Sequence, residues 1–144
     1  MPIVENMRVG DLPKGDPVPE GIYRLRVVKV DRKVPEKTQK DPDPYQYYVI
    51  YNAICADENI PEEFHGRYVF DQMGPDPRGA WKLRQLAGAL GYDEDFDIIA
   101  ALDGNALVDA EYNAMVAIEK EKTGKDGKHY DARNVITKRM GLLD

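Results

Sequence analysis

Serine is absent from this chain, and its three threonines, Thr38, Thr123 and Thr137, fall in expected loops or near the end. That excludes a Ser-His-Asp nucleophile. Cys55 is the only cysteine, so no internal disulfide can form, and its place in an apolar run marks a small core residue rather than a reactive thiol. His65 and His129 are the only histidines, and no cysteine–histidine spacing suits zinc. A Cys55–His129 nucleophile pair would be a coincidence of composition rather than a motif. No apolar run approaches the roughly 20 residues of a membrane span. The start, Met-Pro-Ile-Val-Glu-Asn-Met-Arg, lacks the basic-then-apolar layout of a signal peptide, so the cytoplasm is the expected compartment.

What is present reads as one globular domain. The 144 residues are 42% hydrophobic and 32% charged. A chain of this length buries well over half of its unfolded surface without disulfides or metals. The net charge of −6 weighs against a polyanionic partner. Its distribution softens that objection, because residues 57–111 hold 13 acids and 4 bases while both flanks have a slight excess of bases. Local potential matters more to a charged ligand than the sum does.

Residues 1–19, with four prolines and two glycines, read as an extended arm. Residues 20–140 form the domain, and 141–144 a short tail. Ile22–Val34 is the first expected strand. Tyr23, Leu25 and Val27 alternate with Arg24 and Arg26, and then Val28 and Val30 take the other parity, which predicts a bulge or bend near Val27–Lys29. A polar loop, Lys33–Pro44, leads to the aromatic strand Tyr45–Ala56, and Gly66–Met73 is a third strand. A helix is expected over Arg78–Leu90, with Leu83, Leu86, Ala87 and Leu90 on one face and Gly91 stopping it. Asp93–Leu102 reads as a second, short helix with acids in its first turn, ended by Gly104. Asn105–Lys122 reads as a strand interrupted near Asn113. Thr123–Gly127 is a hairpin turn with Asp126-Gly127 chemistry, and Tyr130–Lys138 is the last strand. Five strands with a helix between the third and fourth is the order of a mainly β, OB-fold-like barrel.

The acidic run Asp93–Asp97 fails as a calcium loop, since Ile98 stands where glycine is needed and Gly104 where a bidentate Glu is needed. Gly124-Lys125-Asp126-Gly127-Lys128 lacks the spacing and following helix of a phosphate-binding loop. Asp71, Asp103, Asp109 and Glu111 are the carboxylates from which two-metal chemistry would have to be built. The chain therefore reads as a binder rather than an enzyme, with no cofactor and no metal.

A binding surface is easier to assemble. Tyr48, Ile50 and Ile54 share the core parity of the second strand, whereas Tyr45, Tyr47, Val49 and Tyr51 take the outward one. Outward tyrosines offer a stacking platform for bases, or else pack under the arm or against a second subunit. Arg24 and Arg26 point outward from the first strand, and Arg67 lies on the third. Lys33 and Lys37 stand in the long loop, Lys122, Lys125 and Lys128 surround the last hairpin, and Arg133 points outward beyond it. In an OB-fold those two loops flank the ligand groove. Trp81 points nearly opposite the leucine face of its helix; it is expected to pack against the barrel, with contact to a partner or a base as the alternative.

Gly21-Ile22-Tyr23-Arg24-Leu25-Arg26-Val27, the aromatic strand, Gly66-Arg67-Tyr68-Val69, the segment Trp81–Gly91 and Leu102-Asp103-Gly104-Asn105 together form a layout. It resembles bacteriophage single-stranded DNA-binding proteins of the OB-fold type, over about Gly21 to Met140. The resemblance implies a protein that coats and protects exposed strands in the host cytoplasm and recruits replication or recombination enzymes; a homo-oligomer fits it too. Such proteins often end in a long acidic tail, whereas Lys138–Asp144 carries a single acid, which weighs against recruitment through a tail. Two rival readings stand beside it: a protein-interaction or virion-assembly module, and a metal-dependent nuclease.

Overall fold

The computed structural model describes residues 16–77, 79–125 and 127–142. Over these residues the chain is mainly β, with a five-stranded antiparallel sheet and two α-helices. The elements are β1 (Gly21–Lys33), β2 (Tyr47–Ile54), β3 (Tyr68–Met73), α1 (Ala80–Ala89), α2 (Ile98–Asp103), β4 (Glu111–Glu119), β5 (Lys122–Thr123), β6 (His129–Tyr130) and β7 (Arg133–Met140). The sheet runs β3-β2-β1-β4-β7, and β5 and β6 form a separate two-stranded ribbon. No helix among the described residues is long and apolar enough to cross a membrane.

β1 is the organising strand. Its first half, Gly21–Arg26, pairs with β4, and Leu25–Lys33 pairs with β2. The register slips between Val27 and Lys29, where the change of parity in the sequence places a bulge. Before the slip Tyr23, Leu25 and Val27 face the core; after it Val30 stands opposite the buried Ile50. The core gathers these residues with Tyr48, Ile54, Val69, Met73, Tyr112, Ala114 and Val116, and Leu83 and Leu86 of α1 cover it.

A polar network crosses this core. Tyr112 donates to Asn52 Oδ1 at 2.9 Å, and Asn52 Nδ2 donates to the Val69 carbonyl at 3.1 Å. Arg139 on β7 makes a two-pronged bond to Asp71 on β3, at 2.8 and 2.6 Å, with side chains 0% and 3% exposed. Gln85 of α1 accepts from the Arg139 backbone N–H and from Nη1. The two outer strands of the sheet are thus held to each other and to α1 by one guanidinium. Among the described residues every buried side-chain N and O atom has a partner, as burial in a low-dielectric core requires.

Several boundaries differ from the sequence reading. The second helix begins at Ile98, not Asp93, because Asp97 is its N-cap and accepts from the Ala100 N–H at 3.1 Å; the acids at 93–95 lie in the preceding turn. Residues 105–110 form turns rather than strand, with Asn105 and Asp109 at positive φ, and β4 starts at Glu111. Asn113 lies inside the ladder; the irregularity falls at Met115–Val116 instead. The last hairpin is its own short ribbon, so the final strand starts at Arg133 and not at Tyr130. Asp126 and Arg78 lie outside the described residues, as does the arm through Gly15. From Asp16 the arm is docked: Val18 is buried and exchanges hydrogen bonds with the Asn134 amide, both at 2.9 Å.

Candidate functional site

Alternation on three neighbouring strands builds one outward surface. β1 supplies Arg24 and Arg26 before the bulge and Lys29, Asp31 and Lys33 after it. β2 supplies Tyr47, Val49 and Tyr51, and β3 supplies Tyr68, Phe70 and Gln72. The registers align Lys29, Tyr51 and Phe70 in one row and Asp31, Val49 and Gln72 in the next.

Aromatic rings concentrate on this surface. Phe70 meets Tyr51 edge to face at a centroid distance of 5.1 Å, and Tyr68 meets Phe70 at 6.2 Å. Tyr68 and Phe70 are 51% and 52% exposed, which is unusual for large rings with a core nearby. Tyr51 is oriented by its neighbours on β1: its hydroxyl donates to Asp31 Oδ2 at 2.8 Å, and the Lys29 ammonium lies 5.3 Å from its ring centroid. The bond from Tyr51 is the main cause holding the Asp31 carboxyl below the usual range, with Lys29 and Lys33 adding to it; the same bond raises the Tyr51 phenol.

Beside the rings a groove of about 440 Å³ runs between β3 and the segment Ala132–Ile136, with Tyr47 and Val49 along one side and Lys82 and Pro17 completing the lining. Its charged lining is Arg67, Lys82, Arg133 and Asp71, and the carboxylate of Asp71 is already engaged by Arg139. The groove is therefore locally cationic on a chain that is acidic overall.

The structure brings together some of the residues named from sequence. Tyr47, Arg67 and Arg133 line the groove, and Tyr51 stands next to Phe70 on its flank. Arg133 also joins Lys122 at the base of the hairpin, where both pair with Glu119, at 3.4 and 3.5 Å. Lys125 and Lys128 are exposed further out on the same hairpin, and Lys37 is exposed in the long loop. Arg24 and Arg26 lie toward the other end of β1, each held by a carboxylate: Glu111 at 2.9 Å and Asp109 at 3.0 Å. Lys33 is near Asp31 at 4.0 Å. Tyr45 is half-buried, stacked on Tyr47 at 5.6 Å and set against the turn after β3. A β-carbon at Gly74 or Gly79 would collide with its hydroxyl, so both glycines are needed for that contact.

Phe70, Tyr68 and Lys82 were missed, although alternation along Gly66–Met73 puts both rings on the outward side. Cys55 is half-buried rather than in the core; it donates to Glu111 Oε1 at 3.3 Å. Burial, then the Glu111 carboxylate, push its thiol up to about 11. Trp81, expected to pack, is 52% exposed, with its ring 5.7 Å from the Arg139 guanidinium carbon. The four carboxylates considered for metal chemistry are dispersed: Asp71 is held by Arg139, Asp103 by Tyr48 and Arg32, Asp109 by Arg26, and Glu111 by Arg24 and Cys55. Among the described residues no group of three or more His, Cys, Asp or Glu side chains is placed to hold a metal ion.

Set against known proteins, the chain matches no family model and no curated protein.

Proposed function

We propose that the protein binds single-stranded DNA across the outward surface of β2 and β3, in an OB-fold, and protects exposed strands during phage replication or recombination. One observation carries this reading: the exposed rings of Phe70 and Tyr68, with the half-buried Tyr51 set edge to face against Phe70, adjoin a groove lined by three cationic side chains, Arg67, Lys82 and Arg133, and by one carboxylate, Asp71, that Arg139 neutralises. Bases stack on such rings without regard to sequence, and the backbone follows the cations. The strand order β3-β2-β1-β4-β7, with Arg139 linking the two outer strands and the helices between β3 and β4, supports an OB-fold barrel seamed at β3–β7. The bent β1, paired on both sides, supports it as well.

Fluorescence anisotropy of labelled oligo-dT at low salt, with duplex DNA as control, tests the proposal. Tight, salt-sensitive binding to the single strand is expected. Tyr51→Ala and Phe70→Ala should each weaken it by the ~1–3 kcal/mol of one stacked base, with melting curves showing the fold intact. Tyr51→Phe, which keeps the ring, should retain most of the affinity. A folded protein that leaves oligo-dT anisotropy unchanged refutes the proposal. The second reading, a protein-interaction or virion-assembly module, would then account for the exposed rings; the neutralised Arg24 and Arg26 favour it.

A further inference from the structure

We infer that Trp81 is a further base-stacking position, lying off the sheet, and that Lys82 beside it holds the adjoining phosphate. The inference rests on the single-strand reading above and extends the bound strand from the β2–β3 surface onto α1.

Trp81 is the only tryptophan in the chain, yet half of its surface is open, whereas an indole ordinarily buries most of its area. Its position follows from the faces of α1. Leu83 and Leu86 enter the core, while Gln85, one turn after Trp81, reaches Arg139. Arg139 cannot swing away, because Asp71 grips it from β3 in a fully buried pair. The indole therefore rests near a fixed guanidinium, which limits its freedom and lowers the entropy lost when a base stacks on it.

Lys82 connects this ring to the groove. Its ammonium lies 5.8 Å from the Trp81 ring centroid and donates to the Gln72 carbonyl at 3.0 Å. Gln72 follows Tyr68 and Phe70 in the outward series of β3, and Lys82 lines the same groove as those rings. The groove that Tyr68 and Phe70 line thus leads, by way of Gln72 and Lys82, to Trp81. Packing alone would explain an indole near the Arg139–Asp71 pair, but not why half of Trp81 stays open next to an ammonium that lines the groove.

Because there is a single tryptophan, indole emission reports this position alone. The full chain is titrated with unlabelled oligo-dT while indole emission is followed, and in parallel with labelled oligo-dT while anisotropy is followed. The expected result is quenching of Trp81 that saturates at the same midpoint as the anisotropy. Trp81→Ala should weaken oligo-dT binding about fivefold or more, and Trp81→Phe should restore much of it. Melting curves separate that loss from a loss of fold. A rise in anisotropy with unchanged indole emission, or a folded Trp81→Ala that binds like the parent, overturns this inference and leaves the single-strand reading standing. No rise in anisotropy overturns both.

Discussion

The thiol of Cys55 donates to Glu111, and burial together with that carboxylate raises it to about 11. A higher pKa means less thiolate at any given pH, so the only cysteine is shielded chemically as well as sterically. Iodoacetamide at pH 8 should alkylate the folded protein on the order of a hundredfold more slowly than an unperturbed thiol of pKa about 8.5, with the rate climbing as pH approaches 11. Glu111→Gln should recover part of the rate and not all of it, because burial remains the larger cause. Rates equal to those of free cysteine would show that neither the burial nor the hydrogen bond persists in solution. The reciprocal effect falls on Glu111, whose carboxyl is lowered first by the Cys55 bond and then by Arg24. With a folded pKa below the unfolded one, its stabilising contribution is present above the ordinary carboxylate range and is lost as pH falls through the folded value.

Among the elements, the bond between Arg139 and Asp71 decides most. It joins β7 to β3, strands that share no ladder, and Gln85 brings α1 to the same guanidinium. Arg139→Met alone leaves Asp71 charged and buried without its partner, and should cost about 3–5 kcal/mol in urea unfolding. Adding Asp71→Leu removes the orphaned charge and should recover most of that loss. An Arg139→Met variant as stable as the parent would show that the two strands are held by apolar contact alone. Such a pair leaves no local pattern, since its members stand 68 positions apart. What could be read from sequence was periodicity: the three long strands before α1, the slip in β1, and the leucine face of α1 all follow from it. Boundaries set by a single side chain were lost. Asp97 capping α2 is one case; the turns with Asn105 and Asp109 at positive φ, which delay β4, are another. At the site, the dense tyrosines of β2 drew the reading away from β3, where the same period-two rule marks Tyr68 and Phe70.

For the molecule as a whole, a net charge of −6 has to coexist with an anionic ligand. Long-range attraction is then weak, and binding depends on the cations within the groove. With Arg67, Lys82 and Arg133 each meeting one phosphate, log Kobs against log salt should fall with a slope of about −2. A slope near zero would mean that stacking alone holds the strand, and one far steeper would bring in the hairpin lysines. The surface they serve depends in turn on the slip in β1. Its stretch Leu25–Lys33 carries one residue more than the stretch of β2 it pairs with, because Val27 and Lys29 stand opposite the adjacent Asn52 and Tyr51. Val28 is in effect an insertion that the strand has absorbed. A relative lacking it would keep Val27 inward and Lys29 outward, and the gap in their alignment would fall in the middle of a strand, where length changes are least expected, rather than in the loop that follows.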